Sequence, residues 1–479
     1  MAFTSLSFIA FIAAVVLLTS ALPTPRGRSV VLMAANLVFI GSHVDHLGQL
    51  APLAAFLLTG YLAIELARRT RSTWSLWGGL AVVVAGFVVL KRFSFLGAAL
   101  TLPFAYLIVG LSYVLFRVLH LLIDAKQGEL PGAIGPLRFF NYTCSFLCFT
   151  AGPIQRYTEH AANQDRPLAL TQGQVFRAFA RLIRGFMKVG VFSAIFSYLF
   201  DSMSGRLLDA TLTPSLPLLC ALAVASAVFY TVYLYANFAG YMDIVIGVGA
   251  LMGQDLPENF NRPFLARSFL DFWSRWHITL SDWFKTYLFN PLLTLLATRF
   301  TAPAAGPYLG VLAFFVTFGV MGVWHGTTAV FVVYGLLMGA GASVNKLWQV
   351  VMTKRLGKKG YRALAEKTPA IYLARGLTFA YFALALSCLW LDMAQLRALT
   401  RELGAIGVLA CYLGLSIASG IAFIAWDTLT MRAASLRLKA GRVSGGVVVR
   451  NLTLAFQILL IVTVASFFHK APEFVYRAF

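Results

Sequence analysis

Charged residues are scarce in this sequence. Asp, Glu, Lys and Arg make up 12% of its 479 residues, whereas hydrophobic residues make up 59%. A soluble globular domain carries roughly 25% charged residues, so this chain lacks the polar side chains needed to cover a water-exposed surface. The composition excludes an ordinary soluble protein and predicts an integral membrane protein with the lipid bilayer as its main partner.

Acidic residues and cysteines are scarcer still. The chain has 18 Asp and Glu against 39 Lys and Arg, for a net charge of +21. The basic residues fall in short clusters between apolar runs, as at residues 68–71 and 354–367, and the positive-inside rule places such clusters in the cytoplasm. No basic face persists along a helix, so nucleic acid is not an expected partner. The five cysteines lie in apolar segments and predict no disulfide framework.

Long apolar runs are abundant and predict an all-α polytopic membrane protein of roughly 11 to 13 helices. Residues 1–22 lack a leading basic region, which predicts a first span rather than a cleaved signal peptide. Residues 139–155 and part of 238–300 are interrupted by Gly, Pro and charged residues, and predict re-entrant segments buried in protein. The candidate spans are residues 4–22, 29–41, 49–66, 74–90, 98–122, 176–200, 213–236, 309–324, 327–348, 370–391, 403–425 and 450–468.

The absence of tandem repeats and soluble linkers predicts one integral membrane domain over residues 1–479. Within it we distinguish N-terminal spans (1–95), a catalytic core (96–350) and C-terminal spans (351–479).

One histidine lies at the end of an apolar run. His325 follows residues 308–324 and has Gly322 and Gly326 nearby. An ionisable residue at membrane depth is costly and is a functional-site hypothesis by default, and the glycines permit a backbone or ligand to approach the imidazole. A neutral histidine is a suitable general base near pH 7. His325 is therefore a candidate catalytic residue, and a helix-packing histidine bonded to a carbonyl is the alternative.

A second histidine, His277, lies in a stretch rich in aromatic and polar residues, from Asp271 to Trp283. The stretch is too polar to face lipid, which predicts a cavity-lining or interfacial amphipathic helix. The alternative is an interfacial anchor whose tryptophans form an aromatic belt. Ser281 follows four residues later on the same helix face. A Ser-His-Asp hydrolase is not predicted, because no Gly-x-Ser-x-Gly elbow occurs.

The other histidines give weaker signals. His120 and Asp124 lie four residues apart near the end of a predicted span, and an interfacial pair is the expectation. His43 and His46 form a loop pair with no Cys or Glu nearby, so no metal site is predicted. His160 has no informative sequence context.

Several short motifs follow one another in a fixed order. They are Gly110-Leu-Ser-Tyr113 with Asp124, Ala151-Gly-Pro-Ile-Gln-Arg156, Gly185 with Lys188, Phe238-Ala-Gly-Tyr-Met-Asp243, Asn259-Phe260, Phe272-Trp-Ser-Arg-Trp-His277 and Gly322-Val-Trp-His-Gly326. The set resembles the membrane-bound O-acyltransferase (MBOAT) family over most of the chain. More narrowly, it is similar to the bacterial branch that holds the alginate O-acetyltransferase membrane subunit and the D-alanyl transfer protein of teichoic acid.

The resemblance implies an MBOAT-type spiral of helices with re-entrant segments around a central funnel. His325 would lie deep in this funnel as the catalytic residue, with His277 close by. We expect His277 to belong to the same catalytic site, where it would position the donor or stabilise developing charge. The donor would be an acyl-CoA or acyl-carrier thioester on the cytoplasmic side, with no bound cofactor. There are departures from the branch pattern: Asn237 stands where an acid is common, and Met338-Gly339 replaces a second His-Gly.

These observations predict a multi-pass O-acyltransferase of a bacterial cytoplasmic (inner) membrane. It would transfer a short acyl group, acetyl first, towards an extracytoplasmic cell-envelope polysaccharide or a relay partner protein. D-alanyl transfer to a teichoic-acid-like polymer is the alternative, and a transporter or a non-catalytic scaffold is the alternative from another class. Five further residues are predicted to bind substrate or support the two histidines: Asn259, Trp276, Ser281, Trp324 and Asp243.

Overall fold

The computed structural model describes residues 5–22, 24–93, 97, 102, 104–130, 132–166, 168–440 and 446–467. Over these residues the chain is built from helices, and extended pairing is limited to one isolated antiparallel bridge between Phe260 and Trp276. Eight of the described helical segments are long and apolar enough to cross a membrane. The prediction of an all-α, multi-pass membrane protein is confirmed.

Ten helices precede the motif-rich centre of the sequence. They are α1 (Leu6–Ala21), α2 (Pro25–Gly41), α3 (Ala51–Thr70), α4 (Thr73–Lys91), α5 (Leu111–Gln127), α6 (Pro136–Thr143), α7 (Tyr157–Asp165), α8 (Gln172–Met187), α9 (Ala194–Leu207) and α10 (Leu216–Leu251). A six-residue π-helical segment, Lys188–Ser193, joins α8 to α9.

Eight helices follow. They are α11 (Phe269–Trp273), α12 (Ile278–Phe284), α13 (Asn290–Arg299), α14 (Gly306–His325), α15 (Ala329–Ala365), α16 (Thr368–Ala385), α17 (Met393–Ala440) and α18 (Gly446–Phe467). Gly357 has φ 70° inside α15 and Gly404 has φ 59° inside α17, so each of these long helices is kinked at a glycine.

The described residues form two compact units. The first comprises residues 5–186 and 238–258, and the second comprises 187–237 and 259–467. The predicted single-domain boundaries, the spiral and the funnel stay predictions.

In the first unit, a buried arginine supports the segment predicted to be re-entrant. Residues 144–156 follow α6 without forming a helix, so their carbonyl groups lack intrahelical donors. Arg117 on α5 donates from Nη1 to the carbonyls of Tyr142 and Thr143 at 3.2 and 2.8 Å, and from Nη2 to that of Cys148 at 2.7 Å. One guanidinium group therefore satisfies three carbonyls where the chain leaves α6.

In the second unit, α14 and α15 form a tight helical hairpin. A Cβ on Gly322 would overlap the backbone of Gly335, and a Cβ on Gly326 would overlap the ring of Phe331. Small residues at a helix contact let the two backbones approach closely within a membrane. This contact fixes the end of α14, where His325 lies.

Several predicted boundaries are wrong; α15 and α17, for example, end at Ala365 and Ala440 rather than at 348 and 425. The sequence predicted that the span after residue 213 ends at 236, whereas α10 continues to Leu251. Gly240 costs helix stability only modestly, and a backbone carbonyl at that position packs directly against Gly185 of α8. The span predicted at 98–122 begins as a helix only at Leu111; residues 98–101 and 103 lie outside the described residues.

Candidate active site

His325 is the last residue of α14, and it is 5% exposed. Its ring makes edge-to-face contacts with Trp324 at 4.8 Å and with Tyr334 of α15 at 5.4 Å between ring centroids. Trp324 and Tyr334 are themselves buried. The imidazole is thus held between two aromatic rings at the end of a helix whose position is set by the α14–α15 contact.

His277 lies between α11 and α12 in an unusual backbone conformation. Its φ of 45° and ψ of 52° fall in the left-handed region, which few residues other than glycine adopt. Such conformations persist only where the surroundings enforce them, and they cluster at functional sites. Here the enforcing contacts are the amide of Ile278, which donates to the carbonyl of Asn259 at 3.0 Å, and the Phe260–Trp276 bridge.

Asn259 contacts the side chain of His277, in addition to its backbone bond with the next residue, Ile278. Its Oδ1 accepts from the Thr279 amide at 3.1 Å and from the Thr279 hydroxyl at 2.8 Å, and it contacts His277 Nδ1 at 3.4 Å. An amide oxygen only accepts hydrogen bonds, so this contact is a hydrogen bond in the tautomer that carries its proton on Nδ1. The contact therefore favours that tautomer of the imidazole.

The two histidines interact electrostatically within the second unit. His277 lies outside the eight candidate spans and is fully buried. Burial holds the pKa of His277 well below its usual value of 6.5, and the charge of a protonated His325 lowers that pKa further. A second positive charge beside the first is disfavoured, so His277 is a neutral imidazole at pH 7.

The structure places the other predicted site residues in different settings. Trp276 is buried among aromatic rings, with Phe382 at 4.9 Å between ring centroids. The Ser281 hydroxyl donates to the carbonyl of Trp276 at 3.3 Å, which gives it a local backbone partner. Asp243 belongs to the first unit, where its Oδ1 accepts from Arg181 Nε at 2.9 Å in an ion pair.

Two residues near the histidines were missed by sequence reasoning. Thr279 occupies two of the hydrogen-bonding contacts of Asn259, and its only signal was its position two residues after His277. Tyr334 packs against His325 from the facing helix, and a buried tyrosine nine residues beyond the histidine gives no local pattern.

The predicted interfacial pair of His120 and Asp124 is buried in the first unit. Their Nε2 and Oδ2 atoms are 3.6 Å apart, and His120 Nδ1 lies 3.2 Å from the Tyr142 hydroxyl. Both side chains are therefore enclosed by protein, and their predicted location at the membrane interface stays a prediction. Within the described residues, no group of three or more His, Cys, Asp or Glu side chains has the arrangement of a metal site.

Comparison with known proteins places these motifs in a family. The model of the membrane-bound O-acyltransferase family matches residues 37–365. A probable alginate O-acetylase of Pseudomonas fluorescens is 28% identical over 272 residues, which cover 56% of this chain and 52% of the relative. The teichoic acid D-alanyltransferase of Bacillus subtilis is 29% identical over 185 residues, covering 38% of this chain and 44% of that one.

A shorter match is stronger in identity. The peptidoglycan O-acetyltransferase of Helicobacter pylori is 51% identical over 63 residues, which cover 13% of this chain and 12% of the relative. The chain spans about half the length of the first two curated relatives. Both His277 and His325 lie inside the region that the family model matches.

Proposed function

The chain belongs to the membrane-bound O-acyltransferase family, and we propose that it transfers a short acyl group from a thioester donor to a hydroxyl group. Acetyl is the first candidate, because relatives named for alginate and for peptidoglycan are acetyl-transfer proteins. D-alanyl is the second candidate, because the teichoic acid D-alanyltransferase matches at a similar identity.

One observation carries this proposal. Two buried histidines interact in the same unit, and each is held by a different device: the helix hairpin for His325 and the Asn259 amide for His277. Packing alone would not require a strained backbone at His277 or a buried amide that selects its tautomer. A pair of fixed, buried imidazoles suits proton transfer near pH 7.

In the proposed reaction, His325 is the general base. Its imidazole takes the proton of the acceptor hydroxyl while the hydroxyl oxygen attacks the carbonyl carbon of the thioester. The carbon–sulfur bond then breaks, and the leaving thiolate takes that proton back from the imidazolium. An ester and a free thiol result, and the histidine returns to its neutral form.

His277 is assigned a positioning role. Because its Nδ1 proton faces Asn259, its Nε2 offers a lone pair. A lone pair accepts a hydrogen bond from an N–H or O–H group of a substrate, whereas it would repel the negative oxygen that develops at the carbonyl. This tautomer therefore supports substrate positioning over stabilisation of the oxyanion.

The proposal also includes a donor, an acceptor and the exclusion of water from the site. The donor would be acyl-CoA or an acyl-carrier thioester from the cytoplasm, and the acceptor an extracytoplasmic polysaccharide or a relay protein in a bacterial inner membrane. Burial of both histidines keeps bulk water from the acyl group and limits hydrolysis of the thioester.

The test is acyl transfer by purified protein in liposomes. Radiolabelled acetyl-CoA and a D-alanyl-carrier thioester are supplied separately, with alginate, peptidoglycan or teichoic acid as acceptor. We expect His325→Ala to lower the rate of label transfer by about 10²–10⁴, the contribution of a general base. His46→Ala, which changes an exposed histidine of the first unit, is the matched control and should transfer at the wild-type rate.

The outcomes separate the candidates. Transfer from acetyl-CoA alone supports the acetyltransferase, and transfer from the carrier alone supports the D-alanyltransferase. A folded His325→Ala protein that transfers label within a few-fold of wild type would remove His325 from the chemistry. Movement of a substrate across the liposome membrane without acyl transfer would favour the transporter.

A further inference from the structure

Helix α7 buries polar side chains that the proposed acyl transfer does not use. It belongs to the first unit, and His160 and Gln164 lie four residues apart on one of its faces. His160 is 5% exposed and Gln164 is 6% exposed. A short helix with a buried polar face requires hydrogen-bond partners for that face.

Neighbouring side chains on and beside α7 have such partners. Asn163 Nδ2 donates to the Asp255 carbonyl at 3.1 Å, and Gln155 Nε2 donates to the same carbonyl at 3.0 Å. By contrast, His160 Nε2 and both polar atoms of the Gln164 amide are buried with no hydrogen-bond partner in the part of the chain that the structure describes. The contrast singles out the face that carries His160 and Gln164.

A buried arginine adds a cation at the end of the same helix. Arg28 of α2 is 7% exposed, and its Nη2 donates to the carbonyl of Arg166, the residue that caps α7, at 2.7 Å. Its Nε is buried with no hydrogen-bond partner among the described residues. A buried guanidinium whose identified partner is a neutral carbonyl is suited to an anionic group.

The positive-inside rule places this end of α7 on the cytoplasmic side. Arg28 lies in the first turn of α2, and the basic residues at 68–71 lie at the end of α3. The basic residues at both ends indicate the cytoplasm.

We propose that Arg28, His160 and Gln164 bind a phosphate ester that carries a neighbouring hydroxyl group. Arg28 Nε and Gln164 Nε2 donate to phosphate oxygens. Gln164 Oε1 accepts a hydrogen bond from the ligand hydroxyl. An anion without a hydroxyl group would leave this oxygen without a donor. Burial, aided by the charges of Arg117 and Arg138, lowers the pKa of His160 to about 3, so its ring is neutral. Its Nε2 would form a hydrogen bond with the ligand.

Two sources share this chemistry. The phosphopantetheine arm of CoA or of an acyl carrier has a phosphate and a nearby hydroxyl, and so does the headgroup of phosphatidylglycerol. The first source rests on the proposed function, since it makes α7 a binding element for the thioester donor. The second does not depend on acyl transfer.

The test measures binding by the full chain in nanodiscs. In the first arm, radiolabelled CoA binds to protein in phosphatidylcholine, with pantetheine, which lacks the phosphate, as competitor. In the second arm, native mass spectrometry counts phosphatidylglycerol retained against phosphatidylcholine. The variants are Gln164→Leu and His160→Phe, and Thr158→Ala on the exposed face of α7 is the control.

We expect wild type to bind in one arm, and Gln164→Leu to weaken that binding by about tenfold or more, as loss of a charge-assisted hydrogen bond implies. Thr158→Ala should bind as wild type does. Gln164→Leu exchanges unpaired polar atoms for apolar ones, so its thermal stability without ligand should not fall. If Gln164→Leu misfolds, His160→Phe provides an independent test, and it should also weaken ligand binding.

Equal affinity in wild type and both variants would overturn the proposal, as would no binding by wild type in either arm. A fall in the stability of Gln164→Leu with no change in binding would assign the face to buried water and also overturn it. Because no arm requires acyl transfer, CoA binding by His325→Ala separates this site from the proposed chemistry.

Discussion

Removing the Asn259 amide should disable His277 without touching its ring. Asn259 is fully buried, and its Oδ1 serves the Thr279 amide, the Thr279 hydroxyl and His277 Nδ1. Leucine has the same branched shape and the same number of side-chain heavy atoms but no hydrogen-bonding group, so Asn259→Leu removes the whole amide, including that oxygen. We expect the variant to fold less stably and to turn over more slowly.

The magnitude follows from the groups left without an acceptor. The Thr279 amide and His277 Nδ1–H stay buried, whereas the Thr279 hydroxyl can rotate to another acceptor. Each unsatisfied buried donor costs about 1–3 kcal/mol, so the free energy of unfolding should fall by roughly 2–6 kcal/mol. In Asn259→Leu the tautomer and orientation of His277 are no longer fixed. The variant should therefore have a kcat about 10²-fold lower than wild type, the effect expected when a positioned group is misplaced.

The assay compares three variants by acyl transfer in liposomes and by thermal unfolding in detergent. Thr279→Val removes only the hydroxyl donor and should leave kcat near wild type. Asn259→Asp keeps an acceptor but adds a negative charge beside His277, which favours the imidazolium and raises its pKa. The acid limb of the kcat profile should therefore move to higher pH in Asn259→Asp, a change that loss of stability alone would not cause.

A folded Asn259→Leu protein with kcat within a few-fold of wild type would refute the reasoning, because His277 would then act without its amide partner. An unchanged pH profile in Asn259→Asp would show that His277 does not control the acid limb.

Three further predictions concern stability. Gly322→Leu should lower the free energy of unfolding by about 1–3 kcal/mol, because the larger side chain overpacks against the backbone of α15. Gly319→Leu is the control, since its side chain would face open space on the same helix and should not lower the stability. Thermal unfolding compares the two variants. Arg181→Met should cost about 1–3 kcal/mol by leaving the half-buried Asp243 carboxylate without its arginine partner. Adding Asp243→Leu should restore part of that loss in denaturation assays. Because the folded-state pKa of His277 lies below the unfolded value of 6.5, the unfolded state binds more protons between those values. Stability should therefore fall by up to about 1.4 kcal/mol per pH unit as the pH drops below 6.5, and His277→Gln should flatten this slope.

The membrane helices could be predicted where one apolar run is bounded by polar residues. The runs at 74–90 and 309–324 match α4 (Thr73–Lys91) and α14 (Gly306–His325) within three residues. The continuation of α10 to Leu251 could not be predicted, because the glycine and charged residues after 237, Gly240 among them, interrupt the apolar run. The local cost of Gly240 is about 1 kcal/mol, which tertiary packing against Gly185 readily overrides.

The two histidines of the site were identifiable from the sequence because each stands beside a tryptophan in a conspicuous setting. Their supporting contacts were harder to predict. Asn259 and His277 are 18 residues apart and meet through an irregular backbone that no helical or strand period describes. His160 and Gln164 gave no signal, because four-residue spacing on a short polar helix is equally typical of a solvated surface.

The backbone at His277 supports the proposal that this residue is held for chemistry rather than for packing. A left-handed conformation in a residue with a Cβ costs of order 1–3 kcal/mol, and asparagine or glycine would adopt it at lower cost. Burial of the imidazole adds a demand for a partner, which the chain meets with an asparagine from a separate segment. A packing role would be filled by an apolar side chain with neither requirement. Backbone strain, the contact that favours one tautomer and the electrostatic influence of His325 all act on one side chain, and local conflicts of this kind concentrate where function constrains the fold.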